Sequence, residues 1–282
     1  MTAENNEPDF SFDGLRDFTW TAGEVARRLG VTESTLRSWH HRYGMEPCSA
    51  REGGQRRYGT EDVVRMSRMR ELVESGMRPS AAAALLQRAL PLRDAHQAVV
   101  AAGKQLDTGA CADLLTQVIR SWGVTRTWNR VCRPALRSVE QAQRADPDCV
   151  DHEHALSWSV TAALHRVHRP AGEASILLAC GPGEQHSLPV EALAAALAEH
   201  GVPARVLGAA TPTPALVRAV TTTTPRAVLL WSHHPDPAHH AAASALADLP
   251  PRLLVAGPGW RHPIPWEQPT SLVDAVSLLS EH

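Results

Sequence analysis

The sequence predicts a multidomain chain with an all-α head, a four-helix bundle and a C-terminal α/β domain on an open parallel sheet. Three observations carry that prediction. Helix-capping signals follow one another closely over residues 19–90. Apolar residues keep helical spacing from about 92 to 168. Beyond Pro170-Ala171-Gly172, strands and helices alternate four times. A length of 282 residues suits about two domains, and a hydrophobic content of 43% lets each bury a core. The expected divisions are an acidic, disordered arm over 1–18, the head over 19–90, the bundle over 91–169 and the α/β domain over 173–282.

In the head, Thr21 followed by Glu24 has capping-box spacing, and Val25 and Leu29 fall on the buried face behind it. Gly30-Val31 makes a short turn. Thr32 then caps a second helix that carries Leu36 and Trp39 inward and Arg37 and Arg42 outward. Residues 44–58 hold Gly, Pro and Arg without periodicity and read as a loop or short hairpin. Thr60 caps a third helix, with Val63, Met66, Met69 and Val73 at helical spacing, and Gly76 ends it. Pro79 opens an Ala-rich fourth helix that runs to about Leu90.

The bundle segments lie near 93–104, 108–121, 124–144 and 150–168, joined by short connections. After the linker, Ser175–Cys180 is an apolar strand ending in Gly181-Pro182-Gly183. Helix Val190–His200, strand Ala204–Leu207, helix Pro214–Val220 and strand Arg226–Trp231 follow. Helix Ala238–Leu246, strand Leu253–Ala256 and a last helix at about 271–280 complete the pattern. Strict alternation means βαβ units, and such sheets bind ligands outside the carboxyl ends of their strands.

Composition excludes several classes. The net charge of −2 gives no global sign of a polyanion partner, but twelve Arg stand against eight acidic residues between Trp20 and Leu90. The five Cys (48, 111, 132, 149 and 180) form no C-x-x-C pair, which argues against a disulfide framework or structural zinc. Cys180, at the end of a buried strand, reads as core. The acidic N-terminus is no signal peptide, and no apolar run nears the ~18 residues of a membrane span. A soluble cytoplasmic protein with no membrane partner is the expectation. Gly181-Pro-Gly183 is not G-x-G-x-x-G, because Gln185 and His186 follow it, so a nicotinamide enzyme is unsupported.

Function enters with the head. Two helices joined by Gly30-Val31, with Arg37 and Arg42 exposed on the second, suit the major groove of DNA. The stretch Arg51-Glu-Gly-Gly-Gln-Arg56-Arg57-Tyr58 adds adjacent glycines, two cations and a phenol, which suits a wing lying along phosphates. Trp39 and Tyr43 read first as packing residues. Tyr43 is kept with Arg37, Arg42, Arg56, Arg57 and Tyr58 among the candidate DNA contacts. The order TAGEVARRLGV, TLRSWHHRYG, GGQRRY closely resembles the winged helix-turn-helix head of the MerR family. That resemblance implies a double-stranded DNA operator, a homodimer or higher oligomer, and RNA polymerase as a further partner.

In the C-terminal half, Gly183-Glu184-Gln185-His186 falls at the carboxyl end of the first sheet strand, where a neutral imidazole and a nearby carboxylate could hold a metal. Glu153-His154 places ionisable residues in an otherwise apolar helix. The stretch His233-His234-Pro-Asp-Pro-Ala-His239-His240 reads either as a surface loop or as a site of zinc or copper capture. Head, bundle and Rossmann-like domain together resemble the cobalamin-binding MerR-type regulators, among them light-responsive repressors that use adenosylcobalamin. The segments carrying the likeness are Glu153-His154-Ala-Leu-Ser, Glu184-x-His186, Leu207-Gly208, Ser232 and Gly257-Pro-Gly259. By that resemblance His186 is the lower ligand to cobalt, and Glu153 and His154 face the upper side of the corrin. Ser232, Gly257 and Gly259 line the slot for the nucleotide tail. Two positions depart from the pattern. Gln143 stands where the light-responsive members carry Trp, and Pro189 where the family has Gly. Trp158, one turn after His154, reads first as a core residue and second as a replacement for that indole. The function expected is a non-enzymatic, ligand-responsive transcriptional regulator. The alternative is a regulator whose sensor half takes another ligand or serves as a protein-interaction module.

Overall fold

The computed structural model describes residues 19–47, 57–145, 150–260 and 263–281. The chain divides between Ala89 and Leu90 into two compact units. In the first, β1 (Trp20–Thr21) leads directly into α1 (Ala22–Leu29). The capping box forms as its spacing predicts: the Glu24 N–H donates to Thr21 Oγ1 at 3.3 Å, and the Thr21 N–H donates to Glu24 Oε2 at 2.7 Å. Gly30 ends the helix at φ 63°, and Thr32 caps α2 (Glu33–Tyr43). β2 (Arg57–Tyr58) pairs antiparallel with β1, so the head is not purely helical. A strand of two residues is too short to show period-two alternation, and sequence periodicity therefore missed it. α3 (Thr60–Glu74) and α4 (Pro79–Arg88) complete the unit around Val25, Leu29, Leu36, Trp39, Met66, Met69 and Leu86.

The second unit begins with the bundle: α5 (Leu92–Lys104), α6 (Thr108–Trp122), α7 (Val124–Thr127), α8 (Arg133–Ala145) and α9 (Val150–His165). The segment read as one helix over 124–144 is divided by a π turn at Trp128–Cys132. Pro134 follows closely. Its ring cannot donate to the Arg130 carbonyl four residues back and would clash with it, and a widened turn relieves that conflict.

The sheet domain runs β3 (Ile176–Cys180), α10 (Leu188–Glu199), β4 (Ala204–Gly208), α11 (Thr213–Thr223), β5 (Ala227–Trp231), α12 (Pro237–Ala247), β6 (Arg252–Ala256) and α13 (Leu272–Ser280). All pairings are parallel, in the order β4-β3-β5-β6. The chain moves from β3 to β4 on one side and then crosses to β5 on the other. The strand order therefore reverses between β3 and β5, the switch point at whose carboxyl ends such sheets bind ligands. α10 is buried on almost every side, from Val190 through Ala192–Ala198, because it lies between the sheet and the bundle. Two polar ties fix that packing. The Val124 N–H donates to Glu199 Oε2 at 2.7 Å, and His165 Nε2 meets Glu191 Oε2 at 2.9 Å. No described helix is long and apolar enough to cross a membrane.

Candidate functional site

Two surfaces carry the residues singled out by sequence. In the first unit, α2 exposes Arg37 and Arg42, and β2 exposes Arg57. Arg37 lies 3.8 Å from Glu33 in a solvated i,i+4 pair, which holds it only weakly. Tyr43 is half-buried, and its carbonyl accepts from the Gln87 amide. Tyr58 departs from expectation. It is 1% exposed, and its hydroxyl lies 3.0 Å from Nε2 of buried His40. The phenol read as a phosphate contact is a core residue, because β2 turns that side chain inward while Arg57 points out. His40 was not singled out in the sequence, where an imidazole in HHRY carries no sign of burial. Arg56 lies outside the described residues.

In the second unit, the loops after β3 and β5 meet at this switch point, and Glu184 organises them. Its side chain is buried. Oε1 accepts from the His186 N–H at 2.8 Å and from His186 Nδ1–H at 2.6 Å. Oε2 accepts from the backbone N–H of His233 at 2.6 Å and of His234 at 3.3 Å. Burial pushes this carboxyl upward, but the four hydrogen bonds outweigh it and hold the group at about 2. With a carboxylate on Nδ1, His186 presents Nε2 outward from a half-exposed ring. The rings of His233 and His234 sit 4.4 and 5.1 Å, centre to centre, from that of His186. Burial first, and then the neighbouring imidazoles, lower the affinity of His233 for a proton.

Cys180 closes the floor of the site. It is buried as expected, its thiol donates to the His186 carbonyl at 3.9 Å, and burial pushes it up to about 12. Pro189 is the second residue of α10, a position where the missing N–H costs nothing.

The residues assigned by resemblance to a nucleotide-tail slot are packed on one another. Ser232 is fully buried. Its hydroxyl lies 2.6 Å from His239 Nδ1 and 2.9 Å from the His234 carbonyl oxygen, while His239 Nε2–H donates to the Pro182 carbonyl at 3.0 Å. A Cβ on Gly257, which has φ +103°, would stand 2.1 Å from the Ser232 carbonyl oxygen, and one on Gly259 2.1 Å from the Ser232 hydroxyl. A Cβ on Gly181 would meet the His239 ring at 2.5 Å. These glycines are required by the approach of the chain to itself. Pro237 is the first residue of α12, so His239 falls on the buried face of a helix instead of in a surface loop.

On α9, Glu153 Oε1 accepts from the Ser157 hydroxyl at 2.6 Å, and His154 projects into solvent. Trp158, expected first in the core, is 58% exposed, one turn from His154 on the same face. Gln143 lies near the end of α8. A shallow depression of ≈ 560 Å³ lies elsewhere, between His165, Arg169, Glu191 and the β4 edge.

Residues 20–89 match the family of MerR HTH regulatory proteins. The HTH-type transcriptional repressor CarA of Myxococcus xanthus is 30% identical over 218 residues, covering 73% of this chain and 74% of CarA. The repressor CarH of the same organism is 26% identical over 227 residues, covering 73% of this chain and 76% of CarH. Among solved structures, the monomethylamine corrinoid protein of Methanosarcina barkeri superposes with a TM-score of 0.51 at 12% identity, over 66% of this chain and 96% of that one. That likeness concerns fold alone. A head that matches the family, and a repressor related over nearly three quarters of both chains, place this protein: it belongs to the MerR-type HTH transcriptional regulators, with a corrinoid-protein fold as its second unit.

Proposed function

We propose that this regulator binds an operator through its head and senses a ligand at the carboxyl edge of its sheet, the ligand being a cobalamin held through His186. The observation that carries the reading is the Glu184–His186 pair at the topological switch point. A buried carboxylate fixes the imidazole by Nδ1 and turns Nε2 outward, which is the arrangement a metal-facing histidine needs. A corrinoid held there would supply a cobalt centre able to take a nitrogen ligand. His186 would hold the cobalt, and Glu153, His154 and the exposed Trp158 on α9 would be the groups of the bundle that face the ligand. Double-stranded DNA is the partner of Arg37, Arg42, Arg56 and Arg57, read twice by a two-fold assembly of the chain. Ligand and assembly are coupled to the extent that the ligand binds one assembly better than the other.

The residues that would face cobalt fit such a group. Those that would take its nucleotide tail do not fit in this conformation, because His239 and the Ser232 carbonyl fill the space beside the glycines. That packing favours a second reading, a ligand smaller than a tailed corrinoid. The deciding experiment incubates the purified protein with hydroxocobalamin or adenosylcobalamin in the dark, removes free ligand, and records the visible spectrum. A retained corrinoid band that disappears in His186→Ala is the expected result. A colourless protein that still binds DNA overturns the cobalamin assignment and leaves the regulator intact.

A further inference from the structure

We propose that His186, His233 and His234 form a site for a bare divalent transition-metal ion, of the class that includes zinc and cobalt(II), held through three imidazole nitrogens with Glu184 as the carboxylate behind them. The inference shares His186 with the reading above but needs no corrinoid.

Geometry carries it first. One nitrogen from each of the three rings lies within 4.8 Å of the others. Metal–nitrogen bonds of roughly 2.0–2.1 Å in a tetrahedral site place ligand nitrogens about 3.3 Å apart. The remaining gap closes by rotation of the exposed His234 ring toward His186, whose own ring Glu184 holds in place. No backbone movement is needed, since the two loops already touch.

Preorganisation comes second. A single carboxylate holds all three ligands, His186 by its side chain and backbone, and His233 and His234 by their backbone N–H groups. Carboxylates in this position fix ring orientation and raise the basicity of the imidazole they bind. The buried negative charge of Glu184 also offsets part of the charge of an arriving cation.

The ligand chemistry selects the ion. Three imidazoles suit zinc, copper, nickel and cobalt and disfavour magnesium or calcium, which take oxygen. The neighbouring sulfur does not enter, because the Cys180 thiol is buried and turned to the His186 carbonyl. Three protein ligands leave a fourth position open to water or to a group from a partner, as in zinc sites that exchange a ligand.

His234 separates this site from the corrinoid reading, which gives it no role, and among the described residues its exposed side chain makes no hydrogen bond on which folding rests. Tag-free full-length protein, stripped with a chelator and dialysed, is titrated with Co²⁺ followed by its visible d–d absorption, and with Zn²⁺ against a chromophoric competitor. Wild type is expected to take up one ion per chain with the absorption of nitrogen-ligated cobalt. His234→Ala and His233→Ala should each weaken binding by about 100-fold or more, at unchanged circular dichroism and denaturation midpoint for His234→Ala. Affinity that survives His234→Ala, or a wild type that binds no ion, overturns the site. In the same preparations, His234→Ala that loses the ion yet keeps a corrinoid band shows two separable activities. Wild type that binds the ion but no corrinoid leaves this site standing and removes the cobalamin reading alone.

Discussion

Two neighbouring parts of the sheet edge are built in opposite senses. Around His186 a buried carboxylate takes up the inward-facing donors and leaves the rings of His186 and His234 directed at solvent. Around Ser232 the polar groups close on each other: hydroxyl to imidazole, imidazole to the Pro182 carbonyl, glycines against the Ser232 backbone. The first arrangement keeps coordination capacity in reserve. The second consumes it. Both use residue types named by the same family resemblance, so a retained residue in a motif can mark either a ligand contact or a point of self-packing.

The sharpest way to break that contrast is Gly257→Ala. If the glycine serves only a ligand slot, the protein without ligand should tolerate a methyl group there. The packing says otherwise, since the methyl would press on a backbone carbonyl that cannot rotate away, at a φ that L residues rarely adopt. A loss of about 3–4 kcal/mol in unfolding free energy is expected by urea denaturation without any ligand. A change below about 1 kcal/mol would mean that this end of the edge is loosely held and can open.

A smaller effect is expected from His239→Ala, and it bears on the ligand. Removing the ring leaves the Ser232 hydroxyl with the His234 carbonyl alone, takes the imidazole donor from the Pro182 carbonyl and opens space over Gly181, which should cost about 2 kcal/mol. The same vacancy is where the nucleotide tail is assigned by resemblance. Wild type should therefore favour a tail-less corrinoid such as cobinamide over cobalamin, and the substitution should narrow that preference about tenfold, near 1.4 kcal/mol. Equal affinities in wild type, measured by spectral titration, would show that the tail goes elsewhere or that His239 swings out at no cost.

How far the sequence could be read follows from the range of the signals. Capping chemistry is local, and Thr21, Thr32 and Gly30 fall where their spacing puts them. The strand–helix alternation is a pattern within segments, so all four sheet strands were legible to within a residue or two. The bundle was legible except at Trp128–Cys132, where the π turn answers to Pro134. What escaped was set by topology. His186 and His233 are far apart in sequence, and only the reversal of strand order between β3 and β5 brings their loops together. Their convergence could have been anticipated by assigning that order first, since both follow strands flanking the switch point. The inward turn of Tyr58 depends on a two-residue ribbon, which leaves no periodic signature. The α12 helix was legible, but the burial of His239 depends on which of its faces packs on the sheet domain.

The smallest expected effect tests whether the sheet edge is independent of the head. Thr21→Ala removes the side-chain acceptor of the α1 capping box and should cost about 1 kcal/mol of stability in the first unit. The box has a pH signature of defined sign. The hydrogen bonds from the Thr21 backbone N–H and hydroxyl hold the Glu24 carboxyl below its ordinary value. A group whose value is lowered on folding stabilises fully above its unfolded value and loses that contribution as pH falls through the folded one. The stability difference between wild type and Thr21→Ala should therefore be largest near neutral pH and shrink in acid, where the hydroxyl bond to the Glu24 carboxylate is lost and the backbone cap remains. Metal and corrinoid titrations of the same variant should be unchanged, because the head and the sheet edge belong to separate compact units. A shift in ligand affinity from this one hydroxyl would instead mean that the two units communicate through the start of α1, and the cap would become the first place to look for the coupling between ligand and DNA.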